Sequence, residues 1–456
     1  MWRPELRERD RPLYRAIASA LAEDIREARL APGTRLPTQR RLAKAIGVTV
    51  GTVSRAYAEA EMRGLVVGHV GRGTFVRDIE PGPVEQREAD GIVDMSYNFP
   101  PLTGEAEVFR QTLSEIAGLG SAVDLLGYQP SEGTARHRAA GARWLARTGL
   151  EAEPGRTLVT AGAQHAIAVL CATLLRSGER VLAEELTYPG MKGLACMLGL
   201  DLEGLPGDPE GLSAEAFDRA CHEGSVRALY TIPTIQNPTG TVMSESRRRD
   251  IAAIAKEHGV LVIEDDVHGL LPEDAPPPIA AFHPDGSFYV ASLAKTLSPG
   301  LRVGYLHAPQ EFVDRLTAGI RTTIWMASPL SAEIATRWIE SGAAEEILGQ
   351  KRREAAERQA MARERLGDHG LAAHEAGFHA WLPLPPPWRT SEFVAAAEQR
   401  GVRVSGAEAF AVGRGEPPHA VRLCLGSPRG RHSLTRALDT LRELLEAGPE
   451  PYLSVV

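Results

Sequence analysis

Residues 288–305 of the chain have the sequence FYVASLAKTLSPGLRVGY. The apolar run at residues 288–291 predicts a buried strand, and the segment that follows it carries Lys295. The Pro299-Gly300 turn then leads to Arg302. In open α/β sheets, ligand-binding residues lie in the loops beyond the carboxyl ends of the strands. This order therefore predicts an α/β sheet with a lysine and an arginine at its binding edge.

The same alternation continues on the N-terminal side of this strand. Further buried strands are predicted at residues 157–160, 180–183, 228–232 and 260–263, with helices at residues 163–175 and 244–258. Strands that alternate with helices indicate an α/β fold with a mainly parallel sheet. The sequence contains neither a GxGxxG fingerprint nor a P-loop, which disfavours a nicotinamide dehydrogenase and a P-loop ATPase.

Four polar or charged side chains accompany the predicted strand ends. They are, in sequence order, Asn237, Asp265, Lys295 and Arg302. Pyridoxal 5′-phosphate requires such a set: a lysine for the Schiff base, a carboxylate for the pyridinium nitrogen, and cationic and backbone donors for the phosphate. Each residue alone has an ordinary structural explanation, such as a solvated lysine or an aspartate in a turn. The ordered combination favours a cofactor site.

The motifs around these residues resemble those of the fold-type I aminotransferases over about residues 93–450. They are Asn237-Pro238-Thr239-Gly240, Glu264-Asp265-Asp266, Ser292-Leu293-Ala294-Lys295 and Pro299-Gly300-Leu301-Arg302-Val303-Gly304. The resemblance implies that Lys295 binds the cofactor as a Schiff base and that Asp265 holds the pyridinium nitrogen. It also implies that Asn237 contacts the 3′-oxygen, and that Arg302 and Ser292 bind the phosphate.

The resemblance assigns roles to five further residues. Ala163 and Gln164 lie between a predicted strand and a helix, where backbone N–H groups suit a phosphate. Tyr188 is expected to stack on the cofactor ring, and Tyr128 to reach the partner's phosphate in a dimer. Arg422 resembles the arginine that binds a substrate or effector carboxylate, a bidentate role that suits a guanidinium group.

The chain departs from the aminotransferase pattern at two places. Many relatives carry a tyrosine two or three positions after the aspartate, where this chain has Val267 and His268. His268 is the candidate to replace the tyrosine at the 3′-oxygen. Ala294 stands where a hydroxyl residue often precedes the lysine. Both changes are compatible with cofactor binding and disfavour efficient transamination.

The N-terminal end differs in charge from the rest of the chain. Residues 1–78 contain 15 Lys and Arg against 9 Asp and Glu, whereas the chain as a whole has a net charge of −8. A basic module attached to an acidic remainder of the chain indicates that the module binds a polyanion. Residues 78–92 are polar, contain Pro81-Gly82-Pro83, and are interpreted as a linker between domains at 1–77 and 93–456.

The pattern within residues 1–77 predicts a winged helix-turn-helix. Amphipathic helices are expected at residues 13–28, 39–46 and 50–63, with Thr38 and Thr49 as N-caps and Gly47 as a stop. Two short strands around a Gly71-Arg72-Gly73 tip form the wing. The alternative is a small helical module whose arginines are merely solvated.

The module also resembles the winged helix of GntR-type bacterial regulators. The resemblance rests on Pro32-Gly33-Thr34-Arg35-Leu36-Pro37-Thr38, Gly47-Val48-Thr49, Thr52-Val53-Ser54-Arg55-Ala56-Tyr57 and Gly71-Arg72-Gly73-Thr74-Phe75. In such modules the second helix of the motif enters the major groove. The residues expected to contact double-stranded DNA are Arg35, Thr38, Arg40, Thr49, Thr52, Arg55, Arg72 and Gly73.

A GntR-type module joined to an aminotransferase-like domain is similar to the layout of MocR-type regulators. The resemblance implies a homodimer with head-to-tail pairing that binds operator DNA and senses an amine, an amino acid or pyridoxal phosphate itself. Two alternatives remain: an active aminotransferase with a DNA-binding appendage, and a cofactor-free dimerisation scaffold. Intact Lys295, Asp265 and Arg422 support the enzyme, and the missing tyrosine opposes it.

Composition excludes several other classes. The chain has 456 residues, of which 43% are hydrophobic and 24% charged, values typical of a folded globular protein. The 4 cysteines are widely spaced and form no CxxC pair, so no metal site is predicted and a reducing compartment fits. No signal peptide and no long apolar run are found, and the expected location is the cytoplasm.

Overall fold

The computed structural model of the chain describes residues 2–4, 12–26, 29–30, 34–62, 65–69, 73–76, 91–413 and 415–449. The chain divides into two compact units, Met1–Gln86 and Arg87–Val456. The division falls inside the segment interpreted above as a linker. Each unit is described by itself below.

The first unit is a winged helix-turn-helix. Its elements are α1 (Leu13–Arg26), α2 (Gln39–Ile46), α3 (Val50–Met62), β1 (Val66–His69) and β2 (Gly73–Val76). The two strands pair antiparallel, with Val66 opposite Val76. Gly47 closes α2 in the left-handed conformation at φ 70°, which a glycine adopts without the strain of a Cβ atom.

Apolar side chains from all three helices form the core of this unit. Leu21, Leu42, Val53 and Tyr57 are all buried against one another. The hydroxyl of Tyr57 donates to the carbonyl oxygen of Pro37 at 2.8 Å, so the one polar atom of this buried side chain is satisfied. The core therefore fixes α3 against α1 and α2 and leaves its other face to solvent.

The second unit alternates strands and helices as its sequence predicts. Its strands are β3 (Val93–Asp94), β4 (Thr157–Thr160), β5 (Arg180–Glu184), β6 (Asp201–Leu205), β7 (Gly207–Asp208), β8 (Gly211–Leu212), β9 (Ala228–Thr231), β10 (Leu261–Asp265), β11 (Ser287–Ser292), β12 (Gly304–His307), β13 (His379–Pro383), β14 (Val402–Arg403), β15 (Ser405–Gly406) and β16 (Ala420–Cys424). The five predicted strands coincide with β4, β5, β9, β10 and β11 to within two residues at each end.

The helices of this unit lie between the strands. They are α4 (Glu105–Ala117), α5 (Ala135–Ala146), α6 (Ala163–Leu174), α7 (Pro189–Leu198), α8 (Ala214–Glu223), α9 (Glu245–His258), α10 (Ile279–Phe282), α11 (Leu293–Thr296), α12 (Val313–Ile324), α13 (Pro329–Ser341), α14 (Ala343–Leu366), α15 (Thr390–Gln399) and α16 (Arg431–Ala447). Short 3₁₀ turns join several of them. Among the residues described, no helix combines the length and the apolar character needed to cross a membrane.

Seven strands form the central sheet, in the order β4-β12-β11-β10-β9-β5-β6. β12 runs antiparallel to both of its neighbours, and the other pairs are parallel. The mainly parallel sheet expected from the sequence is therefore confirmed. Because β9, β10 and β11 are adjacent and parallel, the loops that follow them emerge at one edge.

The sheet is covered on both faces, which explains why its strands are continuous apolar runs. α6 packs Ile167, Val169 and Leu170 against one face, while α8 and α9 contribute Phe217 and Ile251 to the cluster on the other. A second sheet, β13-β16-β15, packs with α14 and α16 in the C-terminal part. β3, the first strand of this unit, pairs with β14 and joins this C-terminal part.

Candidate cofactor site and nucleic-acid interface

A cavity of about 740 Å³ opens at the carboxyl ends of β9, β10 and β11. This size is ordinary for a site that holds a small organic ligand. Ten of the residues singled out from the sequence line it: Ala163, Gln164, Tyr188, Asn237, Asp265, His268, Ser292, Lys295, Arg302 and Arg422. They come from six segments that are far apart in the chain, which the parallel sheet brings to one edge.

Lys295 lies in the short helix α11, directly after β11. Ser292 caps that helix, since its hydroxyl oxygen accepts a hydrogen bond from the N–H of Ala294 at 3.2 Å. The Lys295 ammonium donates to the carbonyl oxygen of Asn98. Burial lowers the pKa of Lys295 to about 8, so more of this amine is neutral near physiological pH than in an exposed lysine. The neutral amine is the form that attacks a carbonyl carbon.

Asp265 is the last residue of β10 and is buried at the floor of the cavity. Its Oδ2 accepts a hydrogen bond from the hydroxyl of Tyr230 at 2.6 Å, whereas its Oδ1 is buried without a partner among the described residues. Burial raises the pKa of this carboxyl to about 7. A cationic N–H placed opposite Oδ1 would satisfy the orphaned oxygen and favour the ionised carboxylate.

The turn before α6 provides a pocket for an anion. Gly162 has φ 87°, and a Cβ atom there would lie 3.0 Å from a terminal nitrogen of Arg302. Arg302 itself donates to the carbonyl oxygen of Ala161 at 3.2 Å. The first N–H groups of the twelve-residue helix α6 point out of its N-terminus beside this guanidinium group. Helix N-terminus and arginine together suit a phosphate.

Arg422 closes the opposite side of the cavity. Its two terminal nitrogens donate to Oδ1 of Asn237 at 2.8 Å and to the carbonyl oxygen of Ser96 at 2.6 Å. The guanidinium carbon lies 4.6 Å from the centre of the Phe410 ring. The Nε–H is buried without a hydrogen-bond partner among the described residues. Arg422 therefore keeps a donor for an incoming anion, and Asn237 orients it.

His268 is buried beside Lys295 and has no hydrogen-bond partner on either ring nitrogen in the described part of the chain. Burial and the nearby His379, Lys295 and Arg422 lower the pKa of His268 well below its ordinary value. The ring centre of His379 is 5.7 Å away. The side chain at the position of the usual tyrosine is thus a neutral imidazole, which has one N–H donor and one acceptor nitrogen.

Tyr128 lies outside the cavity of its own chain. It is 83% exposed, and its ring packs against Trp325 at a centroid distance of 5.5 Å. Leu126 and Val123 are exposed next to it in sequence. A group of exposed apolar side chains of this kind is typical of an interface with another protein chain.

Three features in or next to the cavity were not found from the sequence. Tyr230 is one, because its role depends on the register of β9 against β10, which places Tyr230 opposite Ile263. The segment from Ser96 to Pro100 is another, since it follows a strand of only two residues and carries no periodic signal. His379 is a third: its Nε2 lies 2.9 Å from the carbonyl oxygen of Gln236 and its Nδ1 lies 3.2 Å from the amide of Asn98.

The cavity as a whole fits pyridoxal 5′-phosphate. The Lys295 amine, an aspartate with an orphaned oxygen and an arginine at a helix N-terminus face one space, which Tyr188 also lines. These are the groups needed for the aldehyde, the ring nitrogen and the phosphate. The roles of the individual residues stay predictions.

The winged helix presents its candidate DNA-binding residues on the surface. Arg35, Arg40 and Arg55 are exposed, and Arg35 lies against Gly73, where a Cβ atom would meet its Nε at 3.1 Å. Arg72 lies outside the described residues.

The three candidate threonines of the winged helix also stabilise its helices. Thr38 caps α2 through the N–H of Arg41, and Thr49 accepts from the N–H of Thr52 at 3.1 Å. The hydroxyls of Thr49 and Thr52 lie 2.9 Å apart. Their positions at the start of α2 and α3 would let them contact DNA and cap a helix at once.

Two family profiles match the chain. Residues 13–76 match "Bacterial regulatory proteins, gntR family", and residues 90–441 match "Aminotransferase class I and II". The HTH-type transcriptional regulator YdeF of Bacillus subtilis is 31% identical over 98% of this chain and 97% of its own length. The probable rhizopine catabolism regulatory protein MocR of Rhizobium meliloti is 28% identical over 79% of both chains.

The large unit is also similar to solved structures. The kynurenine aminotransferase of Pyrococcus horikoshii superposes with a TM-score of 0.74, covering 79% of this chain and 92% of its own, at 23% identity. An archaeal alanine:glyoxylate aminotransferase gives a TM-score of 0.73 at 22% identity, over 80% of this chain and 93% of its own. At these identities the likeness concerns the fold.

Proposed function

Because this chain belongs to the GntR-type regulators with an aminotransferase class I and II domain, the MocR type, we propose that it is a transcriptional regulator controlled by a ligand in the Lys295 cavity. Its cofactor is pyridoxal 5′-phosphate, and its winged helix binds DNA. The effector is a small amine, an amino acid or the cofactor itself. The observation that carries the proposal is the presence, in one chain, of a DNA-binding module and a cavity with Lys295 opposite Asp265.

The bound cofactor supplies an aldehyde that reacts with primary amines, and the chain's own residues decide which amines enter. Lys295 would hold the cofactor in place, and Asp265 would keep a proton on its ring nitrogen. Arg422 is the residue we assign to the effector carboxylate, because its Nε–H is a buried donor without a partner in the described residues. A guanidinium group recognises a carboxylate through paired hydrogen bonds.

Lys295 and Arg422 also form hydrogen bonds with the backbone of the segment after β3. Lys295 donates to the carbonyl oxygen of Asn98, and Arg422 donates to that of Ser96. These carbonyls lie a few residues after β3, the first strand beyond residue 92. A ligand that binds Lys295 or Arg422 would compete with the hydrogen bond between that side chain and this segment. A ligand with different affinities for two arrangements of the segment would shift the population between them.

We further propose a head-to-tail homodimer in which Tyr128 reaches the partner's cofactor phosphate. The support is that Tyr128 is 83% exposed and lies outside the cavity of its own chain, beside other exposed apolar side chains. Burial of these side chains against a second copy would remove apolar surface from water.

The second candidate is an active aminotransferase that carries a DNA-binding module. It is favoured by the retention of Lys295, Asp265 and Arg422 in one cavity. It is disfavoured by the neutral His268 at the tyrosine position. The test is the visible spectrum of the cofactor-loaded protein with a panel of amines and amino acids. A band that shifts and persists supports the regulator, whereas steady production of a keto acid supports the enzyme. No cofactor band at all would refute both.

Replacing Arg422 with alanine is expected to lower the affinity for effectors that carry a carboxylate. Loss of the paired hydrogen bonds to a buried charge costs about 2 kcal/mol or more, which corresponds to at least about 30-fold in affinity. The measurement is a spectral titration with an amino acid. The matched control is an amine of similar size without a carboxylate, whose affinity should stay the same. Equal weakening of both ligands would contradict the assignment.

Replacing Arg55 with alanine is expected to weaken DNA binding and leave the cofactor spectrum unchanged. Arg55 is exposed on α3, the helix that enters the major groove in such modules. The loss of a base or phosphate contact costs about 1–3 kcal/mol. Fluorescence anisotropy with a duplex selected from a random pool measures the change, and Arg436→Ala on α16 is the control. Unchanged DNA affinity in Arg55→Ala would refute its role.

A further inference from the structure

Three side chains that can bind a metal ion lie together on the large unit, away from the cofactor cavity. Asp218 and His222 are four residues apart on α8, so they share one face of that helix. His258 is the last residue of α9. None of these three side chains lines the cofactor cavity. This group was not predicted from the sequence, because His222 and His258 are 36 positions apart.

Two of the three distances between ligand atoms in this group are close to those of a metal site. Oδ1 of Asp218 is 3.1 Å from Nε2 of His258 and 3.5 Å from Nδ1 of His222. One ligand atom from each residue lies within 4.8 Å of the other two. In a tetrahedral site with bonds of about 2.0–2.1 Å, ligand atoms are about 3.3–3.4 Å apart. The two measured separations lie on either side of that value.

The two helices that carry these residues are fixed by their packing. Phe217 and Ala220 of α8 are buried in the same cluster as Ile251 and Ala255 of α9. The backbone positions of the three ligands are therefore set by the core.

Helix electrostatics favours a cation at this place. His222 lies in the last turn of α8 and His258 ends α9, so the negative ends of two helix dipoles meet at the group. The nearby Arg180 donates to the carbonyl oxygen of Ala220 at 2.8 Å, and Glu203 neutralises it at 2.6 Å.

Water has access to the group. The side chain of His222 is 65% exposed, that of Asp218 is 44% exposed and that of His258 is 19% exposed. A metal ion there would have water as its remaining ligand.

We propose that Asp218, His222 and His258 bind one divalent ion of the first transition series, with zinc the best match, and that the ion ties α8 to α9. Two imidazole nitrogens and one carboxylate are a common zinc ligand set, whereas magnesium and calcium prefer oxygen ligands. On binding, Nδ1 of His222 exchanges its 3.0 Å contact with the carbonyl oxygen of Asp218 for the metal. The proton leaves Nδ1 for solvent while Nε2 takes one up, so that His222 binds the metal as a neutral imidazole.

The experiment is zinc titration of the full-length, cofactor-loaded protein after removal of any affinity tag and treatment with a chelator. Calorimetry should give one zinc ion per chain, and zinc should raise the unfolding temperature. His222→Ala and His258→Ala should each weaken binding by about tenfold or more and abolish the rise in unfolding temperature. The visible cofactor band should stay unchanged in both variants.

Two control variants separate this site from other zinc ligands. His432→Ala removes an exposed histidine at the start of α16, and Cys221→Ser removes the thiol next to His222 in sequence. Both should bind zinc as the unmodified protein does. Absence of saturable binding, zinc affinity in both site variants equal to that of the unmodified protein, or loss of binding only in Cys221→Ser would overturn the proposal.

Discussion

Lys295→Ala is expected to abolish covalent attachment of the cofactor, while the winged helix of the variant still binds DNA. Lys295 is the lysine that lines the cavity, and it is buried there beside Asp265 and Arg302. Without its amine, pyridoxal phosphate is retained only by non-covalent contacts, and gel filtration should remove it. The visible absorption band of the lysine-bound cofactor should be absent at every cofactor concentration.

The control for this variant is Lys256→Ala, which removes an exposed lysine on α9. Its spectrum should equal that of the unmodified protein. Borohydride reduction followed by peptide mass spectrometry gives a second check, because the label should reside on Lys295. A label on another lysine, or a normal band in Lys295→Ala, would contradict the assignment.

Asp265→Asn is expected to lower the affinity for the cofactor by about 100-fold or more, because it leaves a buried cation without its counter-charge. The amide keeps the shape of the side chain. Its oxygen can still accept the hydrogen bond that the Tyr230 hydroxyl donates to Asp265 at 2.6 Å in the unmodified chain. The loss of cofactor affinity therefore measures the contribution of the carboxylate's negative charge. A spectral titration with pyridoxal phosphate measures it, with Asp285→Asn on the surface as the control. Unchanged affinity would show that Asp265 does not hold the ring nitrogen.

The same variant should be more stable than the unmodified protein when the cofactor is absent, and only at higher pH. Burial raises the pKa of Asp265 to about 7 in the folded chain, so an ionised carboxylate is held in the core above that pH. We expect Asp265→Asn to increase the free energy of unfolding by about 1–3 kcal/mol at pH 8. The gain should fade as pH drops from about 7 to about 4, where the folded carboxyl is already protonated. Denaturant unfolding of both proteins across this pH range shows whether the substitution raises or lowers the free energy of unfolding.

The sequence predicted the elements that have a strong local signal. Apolar runs located β4, β5, β9, β10 and β11, because a strand buried on both faces needs apolar residues at nearly every position. Thr38 and Gly47 marked the ends of α2, since capping depends on the residue itself. Lys295, Asp265 and Arg302 were found because each stands next to such an element.

What the sequence did not predict depends on contacts between distant segments. Tyr230 bonds Asp265 only because β9 and β10 have a particular register. The hydrogen bond from Lys295 to the carbonyl oxygen of Asn98 joins residues that are 197 positions apart. The Asn237–Arg422 hydrogen bond spans 185 positions. Such pairs leave no local pattern, so the structure was needed to find them.

The measurement that tests the regulator most directly is the DNA affinity of the cofactor-loaded chain in the presence and absence of an amino acid that shifts its visible band. Fluorescence anisotropy with a selected duplex gives the dissociation constant, and a parallel assay follows keto acid. Coupling of about 1–3 kcal/mol predicts a change in DNA affinity of about 5- to 150-fold, with the amino acid left intact. A spectral shift with unchanged DNA affinity and steady formation of keto acid would contradict the account and identify an enzyme instead.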